Sequence, residues 1–253
     1  MKNIYLIPFI LPLAIFILLE SIYLNTKAIY FTLPISIILI FLAVLVLVIK
    51  SKSGEKWWNF IIFPIFLLLA FDGLSLILVS KLAVQILYIA CSILLYYYFF
   101  SIYLFFYKPG LYKSFTIENL ANYGSFIIFF LLSLLIYGLE SILDVPVWIL
   151  ILLVMGYSLL ITYQVFWAHK VEVKKALIFS FINCLILVEI AWTISYLPVK
   201  YSVAAMALSI CYYIAIGLSR LYLLEKLDSA TIKLYLSLGL VSLLIIMLTA
   251  QWI

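Results

Sequence analysis

The chain has 253 residues, of which 69% are hydrophobic, 18% aromatic and 10% charged, against about 45–50% apolar and 25% charged in an ordinary soluble domain. Its 15 basic and 10 acidic side chains cannot coat a globule of this length with polar surface, so lipid is the solvent for most of it. Scarce polar residues, with 8 Gly, 7 Pro and 3 Cys, exclude disorder, a collagen-like repeat and a disulfide scaffold.

A bilayer-crossing helix needs about 20 mostly apolar residues. Nine runs of that kind occur, at 4–24, 29–49, 57–79, 83–107, 119–143, 147–168, 176–197, 202–223 and 232–252. The pattern predicts an all-α fold: a polytopic transmembrane helical bundle of about nine spans, forming one transmembrane domain over 1–253 with no soluble domain. The first span has a thin basic flank (Lys2), early prolines (Pro8, Pro12) and more apolar length than a signal core, so it is expected to be retained. Between spans three and four only Ser80-Lys81 interrupts an apolar stretch from 57 to 107, which is too long for one helix and right for two.

Lys and Arg fall on alternate connections. Lys2, Lys50, Lys52, Lys56, Lys108, Lys113, Lys170, Lys174, Lys175, Arg220, Lys226 and Lys233 lie on one side, and Lys27, Lys81 and Lys200 on the other. This predicts a cytoplasmic amino terminus and an external carboxyl terminus, in a plasma (inner) membrane. The net charge of +5 is then a topology signal, and no nucleic-acid partner is implied. Tryptophan favours the headgroup level, and Trp57, Trp58, Trp148, Trp167 and Trp252 all fall at predicted span ends, with Trp192 somewhat deeper.

A charged group at membrane depth costs at least a few kcal/mol and is a functional candidate by default. Glu20, Asp72, Glu140, Asp144 and Glu189 fall on the predicted external half. Asp72 and Glu189 lie deepest, roughly 10–12 Å below the span ends at 1.5 Å per residue. Tyr137, Glu140, Ser141 and Asp144 share one helix face, as do Glu189, Trp192, Thr193 and Tyr196. These residues are candidates for binding an ion, a proton or a polar ligand. Their other reading is solvation at the interface, a cap on span six by Asp144, or membership of interhelical hydrogen-bond networks. The segment Leu-Glu-Ser-Ile at 19–22 returns at 139–142, a faint sign of a parallel repeat of spans one to four in five to eight.

Ala207, Cys211, Ala215 and Ser219 form a small-residue stripe on span eight, beside Ala205, Ser209 and Gly217, which predicts a central helix or a dimer seam. Nine aromatics among residues 96–107 cover every side of span four, so part of that surface must face lipid.

Three cysteines sit singly in three helices and the one histidine, His169, lies in a basic loop. This predicts no metal site, no catalytic dyad and no cofactor. No Walker or Rossmann pattern occurs. Three functions fit the sequence: a small transporter or permease-like bundle with an external acidic site; a structural, assembly or sensing subunit without catalytic activity; and, third, a membrane enzyme acting on a lipid-linked substrate. The implied partners are the lipid bilayer, a proton or cation, and either further copies of the chain or other membrane subunits.

Overall fold

In a bilayer the backbone must satisfy its own hydrogen bonds, and long runs of Leu, Ile, Phe and Val therefore fold as helices. The computed structural model describes residues 4–51, 54–113 and 116–250. Lys2, Lys52 and Trp252, used above as topology markers, lie outside the described residues. The helices are α1 (Ile7–Leu24), α2 (Ile29–Ser51), α3 (Ile62–Ile77), α4 (Lys81–Tyr107), α5 (Thr116–Leu143), α6 (Val147–Ala168), α7 (Val173–Ser195), α8 (Tyr201–Leu223) and α9 (Ser229–Thr249). Among the described residues, nine helical segments are long and apolar enough to cross a membrane, and there is no strand.

The helix ends follow local chemistry. α3 stops at Ile77, and the Ser80 hydroxyl starts α4 by accepting from the Ala83 amide at 3.4 Å, so three residues suffice to split the long apolar stretch. α7 ends at Ser195, short of the predicted 197, because Leu197 precedes Pro198 and is disfavoured from helical geometry. α9 starts at Ser229, earlier than the predicted 232, because the Asp228 carboxylate accepts from the Thr231 amide at 3.0 Å. Asp144 caps nothing on α6. It takes a left-handed conformation (φ +51°) just past α5, and Pro146 occupies the capping position without a side-chain bond.

The chain divides into two compact units, Met1–Ala121 and Asn122–Ile253. In the first, α1 lies along α4 as the closest pair, and α2 packs on α1, α3 and α4. Ile15, Leu19, Ile40, Leu47 and Leu67 are sealed in its core. The aromatic end of α4 is divided between core and surface. Tyr98 stacks on Phe63 at 4.7 Å and donates to the Phe60 carbonyl at 2.8 Å, whereas Tyr97 is exposed.

In the second unit α6 and α7 form the closest pair, and α8 packs against both α7 and α9. α5 joins them through large side chains: Phe129 stacks on Tyr212 of α8 at 4.0 Å, and Ser133 shares a hydrogen bond with Tyr157 of α6 at 2.8 Å. Of the small-residue stripe on α8, Ala207 is buried, Cys211 and Ala215 are half-buried, and Ser219 exchanges hydrogen bonds with Asn183 of α7 at 2.9 and 3.2 Å. Gly217 on the adjacent stripe of α8 and Gly239 on α9 admit close approach of the two helices: a Cβ would overlap Tyr235 at the first and Ile214 at the second. The division falls near the suggested repeat boundary, yet the two units pack differently. The counterpart of the tight α1–α4 pair is α5–α8, which meets through stacked rings, and the counterpart of α6–α7 is the looser α2–α3.

Candidate functional site

In the first unit the carboxyl-terminal ends of α1 and α3 and the amino-terminal end of α4 come together. α1 brings Glu20, four residues before Leu24; α3 brings Asp72, five before Ile77; α4 brings Gln85, four after Lys81. At 1.5 Å per residue these lie about 6–8 Å inside the helix ends.

Asp72 is 1% exposed, and among the described residues neither carboxylate oxygen meets a hydrogen-bond partner. Ser75, on the same face, turns its hydroxyl to the Asp72 backbone carbonyl at 2.7 Å, the local back-bond that serine makes in helices. Glu20 is half-buried, and one of its oxygens accepts from the Gln85 amide at 3.0 Å while the other is buried and unpartnered. Tyr88, one turn beyond Gln85, is 1% exposed, and its phenol lies near Ser75 and within electrostatic reach of both Asp72 and Glu20.

The cluster therefore consists of two acids, an amide and a phenol, drawn from three helices. Among the described residues no charged donor pairs with Asp72. A bare carboxylate anion buried in such surroundings costs several kcal/mol. Among the described residues no group of three or more His, Cys, Asp and Glu side chains is arranged to hold a metal ion.

Gln85 and Tyr88 were not among the residues the sequence singled out. Their signal was present: with Ser92 they form an i, i+3, i+7 polar face on an otherwise apolar span.

The second unit distributes its candidates differently. Glu140 is half-buried at a pocket of about 160 Å³ lined also by Tyr137, Ser141, Ser195 and Tyr201. Tyr137 does not turn its hydroxyl to Glu140; it is 3% exposed and donates to the Ala191 carbonyl of α7 at 3.0 Å. Glu189 is exposed on the outer face of α7, and so are Trp192 and Thr193. Thr193 donates to the Glu189 carbonyl at 2.8 Å, and the Trp192 indole donates to Tyr196 at 3.0 Å. Helix geometry accounts for this. Leu187 and Ala191 face the core, and residue 189 lies about 200° around the helix from each.

No protein-family model, no curated protein and no solved structure matches the chain.

Proposed function

We propose that the protein is a small permease-like bundle in which Asp72 and Glu20 bind a proton or a monovalent cation during passage across the membrane. The observation that carries this reading is the Asp72 carboxylate, sealed inside a helix bundle with both oxygens lacking a protein partner. A structural acid is normally satisfied by its neighbours, because an orphaned buried group costs about 1–3 kcal/mol and more when charged. Half-buried Glu20, held by Gln85, supplies a first acceptor near the rim, and the Tyr88 phenol lies within electrostatic reach of both acids. With the basic side chains taken as cytoplasmic, this end of the first unit opens to the outside of a plasma membrane.

The test is flux in proteoliposomes carrying a pH indicator or a monovalent-cation tracer under an imposed gradient. Asp72→Asn and Glu20→Gln are expected to lower the rate at least tenfold, while Glu189→Gln, on the exposed face of α7, leaves it within twofold. Equal rates for wild type, Asp72→Asn and Glu20→Gln would contradict the proposal and favour a structural or assembly subunit.

A further inference from the structure

The chain contains a single arginine, Arg220, against fourteen lysines. It sits in the last turn of α8, half-buried, and no acidic side chain pairs with it among the described residues. Glu225 and Asp228 follow it in the sequence, but the Asp228 carboxylate is engaged in capping α9. Lys226 and Lys233 are exposed at the same end of α8 and α9.

Arg220 lines a slot of about 10 Å³ with Asn122, Ser125, Tyr212 and Tyr235, room for one oxygen-sized group. Tyr212 is 2% exposed, and among the described residues its hydroxyl meets no partner in hydrogen-bond geometry, with the Ser125 hydroxyl close against it. Ser125 beside it donates its own hydroxyl to the Asn122 carbonyl at 2.9 Å. A half-buried guanidinium and an orphaned phenol thus line one small space, and both can donate to an anionic oxygen.

The slot continues into a much larger groove of about 570 Å³, with Asn122, Phe126 and Tyr213 common to both. Beyond them the groove is walled by Met206 and Ile210 of α8 and by Leu238 and Ile246 of α9. Depth along α8 orders these features. Arg220 is three residues inside the helix end, about 5 Å; Tyr213 is ten, about 15 Å; Met206 is seventeen, about 25 Å. The cation therefore lies at headgroup depth and the apolar groove descends through the hydrocarbon layer. That order of charge and apolar surface matches the order of phosphate and acyl chain in a phospholipid.

We infer that the second unit holds one anionic phospholipid, its phosphate at Arg220 and Tyr212 and one acyl chain in the groove between α5, α8 and α9. Arginine suits this task better than lysine because its planar guanidinium holds its N–H donors in fixed directions toward an anionic oxygen. The volume lies within the usual 300–1,000 Å³ range of small-molecule sites. The inference is independent of the acid cluster in the first unit and of any flux through it.

The test uses the purified full chain equilibrated with mixed vesicles of dioleoylphosphatidylglycerol and dioleoylphosphatidylcholine, and counts retained lipid by native mass spectrometry. Wild type is expected to keep one phosphatidylglycerol per chain, preferred about tenfold over phosphatidylcholine, the size expected of a charge-assisted contact. Arg220→Gln should abolish that preference, and Arg220→Lys should restore part of it. Ser242→Trp, which fills the groove, should lower retention of both lipids; if that variant fails to fold, Met206→Trp narrows the groove from α8. Equal retention of the two lipids by wild type, an unchanged preference in Arg220→Gln, or full displacement of phosphatidylglycerol by equimolar oleate would overturn the inference.

Discussion

Asp72 in the first unit and Glu189 in the second enter on the same sequence argument, a lone acid deep in an apolar span. Folding separates them. Asp72 is buried where α3 packs on α4 and finds no partner among the described residues, whereas Glu189 points away from the packed face of α7. The buried stripe of α7 is Ala176, Ser180, Asn183, Leu187 and Ala191, and Glu189 lies opposite it. The neighbouring acid Glu140 stays half-buried at a pocket rim. Depth along a helix therefore does not identify a working acid; the helix face decides whether the group must be desolvated.

The comparison is sharpest in stability. Asp72→Leu removes an orphaned buried carboxylate and is expected to stabilise the protein by about 1–3 kcal/mol while lowering flux. Glu189→Leu should change stability by no more than about 0.5 kcal/mol. Thermal unfolding in one detergent measures both, and destabilisation by Asp72→Leu would break the contrast.

Next in size is Tyr137→Phe, which removes the hydroxyl bonded to the Ala191 carbonyl and should cost about 1 kcal/mol with flux unchanged. A loss of flux in that variant would bring the second unit into the transport step. Smaller again is the coupling between Asn183 and Ser219. A double-mutant cycle through Asn183→Ala and Ser219→Ala should return about 0.6 kcal/mol, the average for interhelical hydrogen bonds in membranes.

The smallest effect is a pH dependence at the start of α9. Asp228 lies outside the spans, and its hydrogen bond with Thr231 holds its carboxyl below the usual carboxylate range. A lowered folded value means the cap is fully present above the unfolded pKa of about 4 and is lost as pH falls through the lower folded value. The protection factor of the Thr231 amide, its exchange rate relative to the free peptide at the same pH, should therefore be constant from neutral pH down to that range and fall below it, whereas Asp228→Ala removes the dependence.

Much of this fold was legible in the sequence. Span number and most boundaries follow from the length of apolar runs, and even the short break read at Ser80-Lys81, which the structure places at residues 78–80, follows from serine's capping chemistry. The site was legible only in part. Glu20 and Asp72 stood out as charges in an apolar chain, but their meeting depends on α1 lying along α4, a tertiary choice with no local signature. Gln85 and Tyr88 carried a polar-face signal obscured by the aromatic richness of the same helix. The orientation of Glu189 was readable from the small and polar stripe of α7, since a helix usually buries the face with its small residues. The Arg220 slot was not readable at all, because α5 and α8 reach it from positions about a hundred residues apart.

The most direct test of the central claim observes the Asp72 carboxyl itself by infrared difference spectroscopy, comparing membranes before and after a pH step or monovalent-cation addition. A carboxyl signal that responds in wild type and Glu189→Gln, and is missing in Asp72→Asn, is the predicted result. An identical response in wild type and Asp72→Asn would contradict the assignment of the buried acid as the binding group.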